Sequence, residues 1–179
     1  MLQRVRPWLS GSVERFLEEV ARRGSWVGGG SVAALSAALA AALLEKLVPQ
    51  AAARQKLRRI RRACVTLIDR DATMFSRVIK ASRGGNRSRF RRALTAATNV
   101  PWQVFAHAQT VQSACRAAQR EIKPKFQSDL RCALALALAA SESARTLILT
   151  NLAWLNDPAY TRMMRRRLQS ATRGNVPRR

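Results

Sequence analysis

Three consecutive glycines, Gly28, Gly29 and Gly30, run into Ser31 and then into a stretch of small and apolar residues from Val32 to Leu47 that Pro49 closes. Ala and Leu dominate the stretch and no period-2 alternation interrupts it, so it predicts a helix rather than a strand. Its side chains are short, so neighbouring helices can approach closely. It is apolar nearly all round, so other helices must wrap it. This one element predicts an all-α chain: a multihelical bundle with long central helices, formed as a single domain over residues 1–179.

The remaining segments agree with that class. Ser12 precedes Val13, Phe16, Leu17 and Val20, an apolar stripe at helical spacing, with Gly24 as its stop. From Ala51 to about Ala81 nothing breaks a helix. There Ile60, Cys64, Leu67, Asp71, Met74 and Val78 share one face, Arg54, Arg58, Arg61 and Arg62 lie opposite, and Gly84-Gly85 ends the run. A further helical stretch runs from about Ser88 to Arg120. Pro101 interrupts it and predicts either two helices or one bent helix. Residues 121–127, with Pro124, read as a linker. Ser128 is placed to cap a helix reaching Asn156, and Asp157-Pro158 to open a last helix ending near Thr172. The tail, about 173–179, is basic.

Composition constrains partners more than fold. The chain has 33 Lys and Arg against 10 Asp and Glu, a formal charge of +23. Such a surface favours polyanions. The apolar run from Val32 to Leu44 falls short of the roughly 18–20 residues a bilayer requires, and Met1–Ser10 has no apolar core of a secretory signal. A cytoplasmic protein with no membrane partner is expected. Cys64, Cys115 and Cys132 sit among Ala and Leu and read as small core residues. His107 is the lone histidine and no C-x-x-C occurs, so no metal site is expected.

A few residues stand out chemically. The Gly28–Ser31 turn presents backbone N–H groups at a helix start, a place for an anion or merely a turn capped by Ser31. Asp71 lies on an apolar stripe, where an ionised carboxylate is costly without a partner. That partner is either a structural Arg or a substrate. Asp129 suits a first helical turn by its charge alone. His107 reads as an edge-of-core residue.

In order along the chain, Phe16-Leu17-Glu18-Glu19-Val20-Ala21, Gly28-Gly29-Gly30-Ser31-Val32-Ala33-Ala34-Leu35, Asp69-Arg70-Asp71-Ala72 with Phe75, Asn99-Val100-Pro101, and Ser128-Asp129 leading to Asn151-Leu152 resemble the formiminotetrahydrofolate cyclodeaminase / methenyltetrahydrofolate cyclohydrolase family. The resemblance spans about Ser12 to Arg167. Departures include Trp26-Val27 where relatives have small residues or Pro, and Leu47-Val48-Pro49-Gln50-Ala51 where they carry a basic, Tyr-containing stretch, as in a diverged member. The resemblance implies a homodimeric, metal-free and cofactor-free enzyme acting on a tetrahydrofolate derivative. One reaction is a lyase step, closing the formimino group to methenyltetrahydrofolate with loss of ammonia. The other is a hydrolase step, opening methenyltetrahydrofolate to formyltetrahydrofolate. It implies Asp129 and Asp71 as catalytic carboxylates, with Gly28, Gly29, Gly30, Ser31 and Ser128 binding substrate.

The alternative is a non-catalytic Arg-rich helical protein that binds nucleic acid or another polyanion. Between Arg54 and Arg92 there are 14 basic residues and two acids, and from Arg162 onward seven Arg and no acid. Aromatic residues make up only 6% and none forms a stacking platform interleaved with Arg, so the sequence gives little support to single-strand recognition.

Overall fold

The computed structural model describes residues 13–173. Ser12, which precedes the first apolar stripe, and the tail after 173 lie outside them. Six α-helices follow in order: α1 (Val13–Ala21), α2 (Gly29–Leu47), α3 (Ala51–Arg83), α4 (Arg87–Ala118), α5 (Gln127–Leu155) and α6 (Pro158–Arg173). A short 3-10 turn, Pro124–Phe126, leads into α5. There is no strand among the described residues, and the all-α bundle is as expected.

Helices α2 to α5 form an up-and-down bundle whose directions follow from side-chain contacts. Glu45 near the end of α2 accepts from Arg58 and Arg61 near the start of α3, at 2.8 and 3.0 Å, while Ser31 at the start of α2 reaches Asp71 further along α3. The two helices are therefore antiparallel. Lys46 meets Asp129 at the start of α5, which makes α2 and α5 antiparallel too. Gln112 of α4 donates to Ala137 O and Ser141 Oγ of α5, at 3.1 and 2.8 Å, satisfying its amide in the core.

α2 is the centre, for the reason its composition suggests. Ala33, Ala34, Ala37, Ala38, Ala40 and Ala41 are buried. Facing them, Ala133, Ala137, Ala140 and Ala144 of α5 recur at four- and three-residue spacing, so the backbones pack closely. Both α2 and the stretch Pro124–Leu155 are long and apolar enough to cross a bilayer, a longer reach than the run Val32–Leu44 suggests. Half of the most apolar window of α2 is buried inside the bundle, and the small residues that raise its hydropathy are its packing surface.

Other expectations change in detail. α4 is one continuous helix through Pro101, which is buried between Val100 and Val104; flanking packing holds the helix together despite the lost N–H. Ser128 does not cap α5. The helix begins at Gln127 with Phe126 as its cap, and the Gln127 side chain folds back to donate to Gln119 O and Ile122 O. Cys64 and Cys115 are buried, but Cys132 is exposed on α5. Asp157 does open α6, its carboxylate accepting from Tyr160 N–H at 3.0 Å. That bond, with help from Arg91, holds its carboxyl below the usual carboxylate range.

Candidate active site

The start of α2 is where backbone and carboxylate meet. Gly28 stands just before the helix in extended conformation, and nothing crowds Gly28 or Gly29. Gly30 is different. The Asp71 carboxylate of α3 lies against its Cα, where any Cβ would overlap it. Ser31, fully buried, is an interior helix residue rather than a cap. Its hydroxyl is shared between Ile68 O at 3.0 Å and Asp71 Oδ2 at 3.2 Å. The Ser31 backbone N–H also serves the carboxylate.

A structural Arg is not the partner of Asp71. None of the ion pairs among the described residues includes it; its protein partner is the Ser31 end of α2. Burial pushes its carboxyl up to about 6, with the two Ser31 hydrogen bonds pulling the other way. The chain's own carboxylate thus occupies the positive end of α2 at Gly30 and Ser31, while Gly28 and Gly29 stay open along the cavity beside it.

Asp71 opens into a cavity of about 240 Å³. Its walls come from the loop before α2 (Ser25, Trp26, Gly28), the start of α2 (Gly29, Gly30), α3 (Met74, Phe75, Val78), α4 (Leu94, Ala97, Pro101) and the end of α5 (Leu147, Thr150, Asn151, Trp154). Trp26 meets Phe75 edge-on, ring centroids 6.1 Å apart, and both rings are partly exposed. In a chain of such positive charge, Asp71 is the sole charged side chain among the described residues lining this cavity. An apolar, aromatic-walled hollow with one carboxylate suits a flat cation and offers a group able to take up and return a proton.

Asp129 does not reach it. It pairs with Lys46 at 2.9 Å on an exposed surface, at the other end of α2 from Gly30. Sixteen residues of helix put that roughly 24 Å away. Ser128 is exposed beside it. Asp71 and the Gly28–Ser31 turn therefore converge, while Asp129 and Ser128 form a separate corner of the same chain. His107 is half-buried on α4 and held below its usual range by burial; it does not line the cavity. No group of three or more His, Cys, Asp or Glu suited to a metal occurs among the described residues.

A family model described as formiminotransferase-cyclodeaminase matches residues 12–170. The chain belongs to the formiminotransferase-cyclodeaminase family. The fold is that of a solved relative: the crystal structure of formiminotetrahydrofolate cyclodeaminase from Thermotoga maritima superposes with a TM-score of 0.85 at 22% identity, over 90% of this chain and 88% of that one. No curated protein matches the sequence. Cavity residues to which sequence reasoning gave no role include Thr150, Asn151 and Trp154. Asn151 stood in a matched segment; Trp154 had no sequence signal, because only the return of α5 past α2 brings it there.

Proposed function

We propose that this chain is a folate one-carbon enzyme that closes the formimino group of formiminotetrahydrofolate to methenyltetrahydrofolate, releasing ammonia. The observation that carries this reading is the lone Asp71 carboxylate in a cavity without basic side chains. The protonated formimino group is a flat amidinium, and the product is a delocalised cation. Both are complementary to a buried carboxylate between apolar and aromatic walls.

The chemistry needs one shuttle. The folate N10 attacks the formimino carbon, and ionised Asp71 takes the proton from N10 as the N10–C bond forms. The resulting acid hands that proton to the amino group, the C–N bond breaks, and ammonia leaves. Asp71 ends ionised beside the methenyl cation. A carboxyl near 6 suits both halves of this exchange at neutral pH. The walls of Met74, Phe75, Val78 and Leu94 favour ring closure over attack by water. At about 240 Å³ the cavity suits the ring end of the substrate, with the glutamate tail outside, where the positive surface attracts it. Purified protein mixed with formiminotetrahydrofolate should release ammonia and develop the methenyl absorbance. Absence of both sinks the proposal, and faster loss of methenyl absorbance from methenyltetrahydrofolate without ammonia chemistry would assign the hydrolase reaction instead.

The homodimer belongs to the same reading. Val32 and Leu39 of α2 are exposed, with Leu35, Ser36 and Leu43 half-buried beside them, and no charge interrupts this stripe. Two copies at +23 each repel, so an uncharged face is where they can join. Light scattering should give a dimer that Leu39→Glu converts to monomer; a wild-type monomer at micromolar concentration rejects it.

A further inference from the structure

A cleft between Trp102 of α4 and one face of α6 has the opposite character to the Asp71 cavity. It is a shallow depression of about 720 Å³, wide open to solvent. Met164 and Leu168 turn α6 onto the core. The neighbouring stripe, with Arg162, Met163, Arg166 and Ser170 at three- and four-residue spacing, lines the cleft opposite Trp102. Arg167 lies over the Trp102 ring, its guanidinium carbon 4.4 Å from the centroid. Phe105 stacks beside Trp102 with centroids 6.0 Å apart.

Charge is unbalanced here. α6 has no Asp or Glu, and none of the ion pairs among the described residues includes Arg162 or Arg166. Two guanidinium groups one turn apart repel each other, and an anion placed between them relieves that repulsion. Arginine forks match phosphate oxygens bidentately, while a planar ring stacks on an aromatic or guanidinium face. Sequence reading offers no stacking platform here because Trp102 and α6 are distant along the chain, and only folding brings them together.

We propose that the Trp102–α6 cleft binds a nucleoside phosphate, either a free nucleotide or a unit of a single-stranded nucleic acid. The phosphate sits between Arg162 and Arg166, and the base stacks on the Arg167–Trp102 pair. The site is independent of the reading of Asp71.

Fluorescence anisotropy on the full chain tests this with two probes, a labelled oligothymidylate and a fluorescent adenosine triphosphate analogue, at low and moderate salt. The double variant R162E/R166E is compared with R59E/R62E, which removes the same charge from exposed arginines of α3. The cleft variant is expected to lose at least ten-fold more affinity than the α3 variant. Trp102→Leu should weaken binding while leaving the salt dependence intact, because stacking releases no counterions. Loss confined to the nucleotide probe assigns a free nucleotide, and loss seen with the oligonucleotide assigns a single strand. Equal losses in the two double variants, or no binding by wild type at low salt, overturn the proposal. Both double variants change only exposed side chains, so they decide the matter even if the Trp102 variant unfolds.

Discussion

The Asp71 carboxylate rests against the Cα of Gly30, so close that a Cβ at residue 30 would overlap its oxygens. A glycine in one helix and a carboxylate in the next thus define each other's position. Gly28 and Gly29, by contrast, face open space.

Gly30→Ala must push Asp71 aside or move the start of α2. Overpacking of this kind costs about 1–3 kcal/mol, and a displaced catalytic group of the order of 1 Å can cost roughly 100-fold in rate. Thermal melts and turnover should show both losses, while Gly29→Ala leaves stability within about 1 kcal/mol, since no neighbour opposes its Cβ.

Asp71→Asn separates stability from activity. The carboxyl is raised from 3.8 to about 6 in the fold, so the folded chain holds its proton over a pH range in which the unfolded chain has released it. Stability from this group is therefore complete below about 4 and falls as pH rises through 6. The upper bound of the loss is about 3 kcal/mol. Asn keeps the shape without the charge, so the variant should melt higher than wild type at pH 8 and equally at pH 3. Turnover should drop by at least about 100-fold. Wild-type kcat/KM should fall as pH drops below about 6, because the ionised form begins the cycle. A pH series of melts alongside initial rates reads all three.

Asp129→Asn removes one partner of an exposed ion pair with Lys46. Such pairs contribute about 0–1 kcal/mol, and the residue lies at the opposite end of α2 from the cavity. The variant should retain wild-type turnover and melt within a few degrees of it. A collapse of turnover would mean that Asp129 reaches a site the single chain does not form.

Phe75→Ala strips one wall from the cavity mouth and leaves Trp26 without its edge contact. On the proposed reading the ring packs against substrate but moves no proton, so KM should rise several-fold with kcat little changed. Steady-state kinetics distinguish this from a loss in kcat, which would place Phe75 in the chemistry.

Much of the architecture was legible in the chain because it is written in local periodicity. The Ala-rich run after the glycines could only be a central helix, and Asp71 declared itself by sitting among Ile60, Leu67 and Val78. Pro101 left two helices or one bent helix open, since sequence registers the missing N–H but not the buried neighbours that keep α4 continuous. Ser128 misled for a similar reason: with Gln127 reaching back to two carbonyl groups, the cap lies at Phe126, two residues before the expected one.

By itself, then, the sequence determined the helices, the buried centre and the single carboxylate on an apolar face, all properties of spacing within about one helical turn. Tertiary structure decided what those groups meet. It placed Asp71 on Gly30 and sent Asp129 to Lys46 at the far end of α2. It also set Trp102 against the arginines of α6. The physical reason is that antiparallel packing couples residues by their height along the bundle, and that height depends on where each helix starts, stops and crosses its neighbour.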